Sequence, residues 1–85
     1  MKIDATNIKK IMQKLRSKDP ALFIALQKKI MQLGSMDIIA IEHLKNLKGR
    51  MSHLKRVHVG SFVLTFAIKG EIIIFKDFAH HDTAY

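Results

Sequence analysis

The chain has 85 residues, a formal net charge of +8 and no cysteine. This length allows one small domain and excludes a two-domain enzyme that carries its own cofactor-binding half. The lack of cysteine excludes disulfide cross-links and cysteine-based zinc sites. Because no apolar run reaches the length of a bilayer span and no charged-then-apolar leader is present, we expect no membrane contact and a cytoplasmic location.

Composition indicates a folded domain with a polyanionic or acidic partner. Apolar residues make up 48% of the chain and charged residues 26%, which suits a compact core. The positive charge is uneven, since residues 1–33 carry eight Lys or Arg against two Asp. Charge alone leaves three interpretations open: nucleic-acid contact, docking of an acidic protein, and a solvated helical face.

Two N-terminal helices are predicted. Within residues 4–17, an apolar stripe has helical spacing and comprises Ile8, Ile11, Met12 and Leu15. Asp19 as N-cap and Pro20 in the first turn open a second helix, which should run to about Leu33. Gly34 is expected in the left-handed position just past its end. A tight turn makes the two helices antiparallel.

Two stretches are less regular. Residues 1–4 could add a very short strand. Residues 35–50 fit either a short third helix that is capped near Asp37 and ends at Gly49, or an irregular packed connection.

From His53 onward the apolar period changes to two, and β-branched and aromatic residues dominate. We predict strands at about 53–59, 62–68 and 71–77. The predicted two-residue turns are Gly60-Ser61, which suits a type II′ hairpin, and Lys69-Gly70.

These turns predict the register and therefore the two faces of the sheet. They pair Val59 with Phe62 and Ile68 with Glu71. The face expected to pack on the helices carries Val57, Val59, Phe62, Leu64, Phe66, Ile68, Ile73 and Phe75. The opposite face, which we call the open face, carries Leu54, Arg56, His58, Val63, Thr65, Ala67, Ile72, Ile74 and Lys76. The predicted fold is α+β, with two N-terminal antiparallel helices packed on one face of a small antiparallel β-sheet.

Motifs for phosphate loops, serine hydrolases and zinc peptidases are absent from the sequence. The run His80-His81-Asp82 invites a metal interpretation. Adjacent side chains on an extended segment point to opposite sides, however, and no third ligand is evident nearby. We therefore expect no metal and no cofactor.

The remaining candidate is a basic cluster that comprises Lys55, Arg56, His58, Lys76, His80, His81 and Tyr85. Metal-free RNA cleavage needs a base for the ribose 2′-OH, an acid for the leaving 5′ oxygen and cations for the phosphate. Histidine can serve as base or acid near neutral pH, and tyrosine can stack on a base or donate a proton. From composition and spacing alone, a basic binding surface without turnover is the commoner case.

Several segments in order resemble the RelE/ParE superfamily of toxins from toxin–antitoxin pairs, and most of all its short archaeal RelE-like members. The segments are HLKNLKG at 43–49, RVHVGSF at 56–62, IIIFKDF at 72–78 and HHDTAY at 80–85. The likeness covers about half of the chain well, while the helical half agrees in pattern only. It implies a single RelE/ParE-like toxin domain over residues 1–85.

The resemblance also implies a function and its residues. RelE members cleave mRNA in the ribosomal A site without a metal, inhibit translation, and are silenced by an antitoxin. We accordingly expect a RelB-like antitoxin as partner, with the toxin a monomer or part of an antitoxin-bound hetero-oligomer. By the resemblance, Arg56 and His58 fall where the family has phosphate-binding Lys or Arg, His81 falls where an Arg supports the transition state, and Tyr85 matches the C-terminal Tyr. Together with the basic cluster, this predicts catalytic roles for His58, His81 and Tyr85. RNA-phosphate binding is predicted for Lys55, Arg56, Lys76 and His80.

Two departures from the family pattern keep alternatives open. Val63 lies where active members usually have an arginine, and His81 replaces another arginine. Loss of each guanidinium could remove part of the transition-state stabilisation. The alternatives are a ParE-type toxin that binds DNA gyrase without nuclease activity, and a catalytically weakened RelE homologue that only binds its antitoxin.

Overall fold

The computed structural model describes residues 1–83. Its helices are α1 (Lys9–Lys18), α2 (Pro20–Ser35) and α3 (Ile38–Glu42), and its strands are β1 (Lys2–Asp4), β2 (Lys55–Val59), β3 (Phe62–Lys69) and β4 (Ile72–His80). Single turns of 3-10 helix lie at Thr6–Ile8 and Gly49–Met51. Within residues 1–83, every helix is too short or too polar to cross a membrane.

The four strands form one sheet in the order β1-β4-β3-β2. The predicted α+β class with two N-terminal helices is confirmed, but the sheet is mixed, because β1 pairs with β4 in parallel. The possible short strand at residues 1–4 therefore forms. The Met1 ammonium donates a hydrogen bond of 2.7 Å to the Gly34 carbonyl, which ties β1 to the end of α2.

Helix α2 begins as predicted but ends later. The Asp19 carboxylate accepts from the Leu22 amide at 3.2 Å, and Pro20 opens the helix. The prediction that Gly34 ends the helix in a left-handed conformation is wrong, because Gly34 lies inside α2. Gly34 instead permits a close approach, since a Cβ there would lie 3.3 Å from Ile3 Cγ2.

The connection between α2 and β2 combines the two structures that the sequence allowed. Asp37 caps α3 by accepting from the Ala40 amide at 2.8 Å. The chain then becomes irregular and runs back along β2, where Asn46 pairs with Lys55 and the Arg56 amide donates to the Lys45 carbonyl at 3.0 Å. This segment covers the outer edge of β2, an edge that would otherwise expose unpaired backbone groups.

The predicted register of the β2–β3 hairpin is confirmed, including the pairing of Val59 with Phe62. The predicted β3–β4 register is wrong, because Lys69 pairs with Ile72 and the turn is Gly70-Glu71. Gly70 has φ of 61° and takes the left-handed position, which a lysine would occupy only at a steric cost. The shift is two residues along β4, so the side chains keep their predicted faces over this part of the strand.

A β-bulge in β4 extends the core. The register changes between Thr65, which pairs with Asp77, and Phe66, which pairs with Phe75, so that Lys76 is the extra residue. Phe75 and Phe78 are both buried as a result. The core joins one face of the sheet to the helices and comprises Ile8, Leu26, Ile30, Leu33, Ile41, Val59, Leu64, Phe66, Ile73, Phe75 and Phe78.

Lys55 is a buried cation on the helix side of β2, with 9% of its surface exposed. Its ammonium donates to the Glu42 carbonyl at 2.9 Å, the Leu44 carbonyl at 3.0 Å and the Asn46 side-chain oxygen at 2.9 Å. All three donor hydrogens of the ammonium are therefore used within the protein. Lys55 fastens the 42–46 segment to β2.

We predict that Lys55→Met lowers the free energy of unfolding by about 2–4 kcal/mol, because the neutral side chain loses three partly buried hydrogen bonds and leaves their acceptor oxygens without this donor. Chemical denaturation measures the change. The exposed Lys10→Met is the matched control and should stay within about 0.5 kcal/mol of the native protein. Equal midpoints for the two variants would contradict the structural role of Lys55.

Candidate nucleic-acid interface

The central residues of the open face are buried rather than exposed to solvent. Val63 and Thr65 on the central strand β3 are only 1% and 5% exposed. Arg56 and Asp77 flank Thr65 on the neighbouring strands, while His58 flanks Val63. The polar groups available to a ligand therefore lie along the two borders of this face, on β2 and β4, rather than in its middle.

The charges on the open face are nearly balanced, which the sequence analysis did not anticipate. Lys76 is at the bulge, and two carboxylates share the face, since Asp77 pairs with Thr65 and Asp4 pairs with Ile74. The pKa of Asp4 is lowered, mainly by hydrogen bonds from Thr6 and to a smaller extent by Lys76. The β4 side of the face is thus a mixed rather than a basic surface.

The more basic border of the open face is the β2 edge, which adjoins a cleft of about 390 Å³. We call it the edge cleft, and its lining residues are Asn46, Leu47, Lys48, Met51 and Arg56. Lys45, Lys48 and Arg50 of the segment before β2 are exposed, and residues 43–70 contain no Asp or Glu. Apolar side chains beside two cations suit a nucleotide. The apolar side chains can contact its sugar and base, and the cations can contact its phosphate.

Lys48 and Met51 were not among the candidate ligand-binding residues predicted from the sequence. They lie in an irregular segment, where periodicity assigns no face to a side chain. The signal that could have found them is the acid-free stretch from residue 43 to residue 70, which brackets the cleft.

A second cluster of polar groups lies where β4 ends, beside the β2–β3 turn. The Ser61 carbonyl accepts from the His81 amide at 3.0 Å and contacts His81 Nδ1 at 3.0 Å. The ring centroids of His80 and His81 are 4.5 Å apart, and the Phe62 ring packs against His80 at 5.4 Å. The glycine turn thereby positions the first residues of the C-terminal tail.

The structure brings together only part of the predicted site. Arg56 and His58 share the outer side of β2, and His80 and His81 meet at the end of β4. Lys55 lies on the helix side with its ammonium fully hydrogen-bonded, because neighbouring residues on a strand face opposite sides. Lys76 lies beside Asp4, across the sheet from Arg56. Tyr85 lies outside the described residues.

Comparison with known proteins identifies the family. A protein of Methanocaldococcus jannaschii named "Putative toxin RelE4" is 37% identical over 82 residues, which cover 93% of this chain and 83% of that protein. The chain belongs to the RelE-like toxin family. The alignment extends into the helical half, where the resemblance to this family was one of pattern only.

A further relative of this RelE-like toxin matches a shorter stretch. An uncharacterized protein of Methanosarcina mazei is 50% identical over 44 residues, which are 48% of this chain and 51% of that protein. The matched stretch is thus about half of each of the two proteins. No family model matches the chain, and no solved structure gives a significant match.

We predict that Gly60→Ala disturbs the turn that holds His81. Gly60 has φ of 60°, a conformation that costs an alanine about 1–2 kcal/mol. The free energy of unfolding should fall by this amount, and the His81 ring resonances should shift. Ser61→Ala is the control, because His81 uses only the Ser61 carbonyl. Equal behaviour of the two variants would contradict this function of the turn.

Proposed function

We propose that this RelE-like toxin is a metal-independent, ribosome-dependent mRNA endoribonuclease that inhibits translation. The observation that carries the proposal is the edge cleft, where Lys48 and Arg56 flank apolar side chains on the border of the face that bears His58. A cleft of this composition suits one RNA nucleotide and its phosphate better than a surface that offers positive charge alone.

The proposed reaction is transfer of the phosphate to the ribose 2′ oxygen. A base takes the 2′-OH proton, the 2′ oxygen bonds to phosphorus, and the 5′ oxygen leaves with a proton from an acid, which produces a 2′,3′-cyclic phosphate. His58 and His81 are the candidate base and acid, since both are exposed and an imidazole side chain can act as a general base or acid. Arg56 and Lys48 would balance the charge on the phosphate.

Tyr85, His80 and Lys76 have supporting roles in the proposal. Tyr85 would stack on the substrate base or take part in proton transfer. His80, which packs on Phe62, would contact a neighbouring phosphate, as would the exposed Lys76. Lys55 keeps a positioning role, because it holds the segment that forms one wall of the edge cleft.

The proposed protein partner is a RelB-like antitoxin, and the proposed place of action is the ribosome in the cytoplasm. Exposed apolar side chains on α2 and α3 support a protein partner, since Ile24, Met31 and Ile39 are 50%, 72% and 67% exposed. We propose that the free toxin is a monomer and that the antitoxin-bound form is a hetero-oligomer.

Val63 favours a second candidate function. It is 1% exposed between His58 and Ala79, so an apolar side chain fills the position where active relatives usually have an arginine. The second candidate is a non-nuclease toxin, either of the gyrase-binding ParE type or one that only binds its antitoxin. Inhibition of gyrase supercoiling without mRNA cleavage would favour the former.

The cleavage proposal predicts new message ends in a translation mixture, mapped by primer extension, only when ribosomes are present. We expect Arg56→Gln and His81→Gln each to reduce the cutting rate about 100-fold, because each removes a group that acts on the phosphate or a proton. Lys69→Gln changes an exposed lysine at the far end of β3 and should leave the rate unchanged. Normal cutting by both site variants would refute this site.

A separate prediction concerns Tyr85. We expect Tyr85→Ala to cut about 10- to 100-fold more slowly, which is the loss that one base stack would produce. Tyr85→Phe separates the two roles in the same assay, since phenylalanine keeps the stack and removes the hydroxyl. If Tyr85→Ala cuts at the native rate, Tyr85 takes no part in the reaction.

A further inference from the structure

The last residue of β4 and the two residues that follow it carry side chains of the types that bind metal ions. One ligand atom from each of His80, His81 and Asp82 lies within 4.8 Å of the other two. His81 Nε2 is 3.0 Å from Asp82 Oδ1, and His80 Nδ1 is 3.5 Å from Asp82 Oδ2. The prediction of an extended segment here is wrong, because the chain turns at residues 81–83, which brings the side chains together.

Hydrogen bonding fixes which ring nitrogen of His81 faces the cluster. The Ser61 carbonyl can only accept, so Nδ1 of His81 carries a hydrogen at this 3.0 Å contact. Nε2 is then the nitrogen that holds the lone pair in the neutral ring, and it faces the Asp82 carboxylate. A lone pair and a carboxylate 3.0 Å apart repel each other unless a proton or a metal ion lies between them.

The Nδ1 lone pair of His80 lies near the same point. It accepts a hydrogen bond from the Asp82 amide at 3.3 Å, and a metal ion at this nitrogen would replace that long hydrogen bond. The ring is held from the other side by Phe62, with 5.4 Å between the ring centroids. Both imidazoles are therefore oriented by contacts outside the cluster, as the histidine ligands of metal sites usually are.

We infer that His80 Nδ1, His81 Nε2 and the Asp82 carboxylate form a binding site for a divalent first-row transition metal such as Zn²⁺. Two imidazoles and one carboxylate are a ligand set that suits this class of ion and leaves a fourth position open. Ligands about 2.1 Å from one ion are roughly 3.4 Å apart in a tetrahedron, so the Asp82 contacts of 3.0 and 3.5 Å already suit one ion. The side chains of His80 and His81 are 41% and 51% exposed, so small rotations of the rings can bring their two nitrogens, which lie within 4.8 Å of each other, to this separation.

The site has a regulatory consequence that rests on the proposed function. A metal ion on His81 Nε2 occupies the nitrogen that would otherwise exchange a proton with RNA. Cleavage needs no metal under that proposal, and Zn²⁺ at this site inhibits it. The metal site and the nuclease therefore compete for one side chain.

The test is titration of the full chain with Zn²⁺ in competition with a chromophoric chelator. One ion should bind per chain, and Asp82→Asn and His80→Gln should each weaken binding about tenfold or more. His53→Gln, which removes an exposed histidine elsewhere, is the matched control and should leave binding unchanged. No binding to the native chain, or equal binding by all variants, would overturn the site.

A second readout tests the regulatory consequence. Ribosome-dependent cleavage is measured with and without saturating Zn²⁺, and the rate without Zn²⁺ is divided by the rate with Zn²⁺ for the native chain and for Asp82→Asn. A larger quotient for the native chain supports inhibition through this site, while equal quotients overturn it. If the native chain never cleaves RNA, the proposed function fails, but the zinc titration still decides whether the metal site exists.

Discussion

The edge cleft depends on one buried cation, Lys55. Its side chain lies on the helix side of β2 and donates hydrogen bonds to three oxygen atoms of the 42–46 segment. That segment has little regular structure of its own, so this ammonium and the backbone contacts at Asn46 hold it on the sheet. A buried cation whose three hydrogens are all hydrogen-bonded holds such a segment in place, while its removal leaves the three acceptor oxygens without a donor. Without it, Lys48 and Met51 would lose their fixed place beside Arg56.

A second constraint places the end of β4. The bulge at Lys76 lets Phe75 and Phe78 both enter the core, and it shifts the register by one residue so that His80, rather than Ala79, pairs with Phe62. The Ser61 carbonyl then holds His81. The β2–β3 and β3–β4 hairpins thus place the imidazoles of His80 and His81 at the border of the open face, whose centre is filled by the buried Val63. Proton transfer and metal binding, as proposed above, would both use this arrangement, which is why the two proposals meet at His81.

Much of the fold could be predicted from the sequence, because local rules apply to it. Apolar spacing and the Asp19-Pro20 signal predict the helices, and Gly60 predicts the first hairpin register. The second register failed because two adjacent residues could each begin the turn, and only the tolerance of Gly70 for positive φ decides between them. The edge cleft and the burial of Lys55 were not predictable, since tertiary contacts of an irregular segment determine both. The turn at residues 81–83 was not predictable either.

The central claim is that RNA binds along the β2 edge and the end of β4. The helices offer a competing surface, since α1 and α2 carry seven Lys or Arg and no Asp or Glu. The most direct test is a titration of isotope-labelled toxin with a short single-stranded RNA at low salt, followed by amide and imidazole NMR shifts. The account predicts that the largest shifts fall on residues 46–51, 56–58 and 80–82. Shifts confined to α1 and α2 would contradict it.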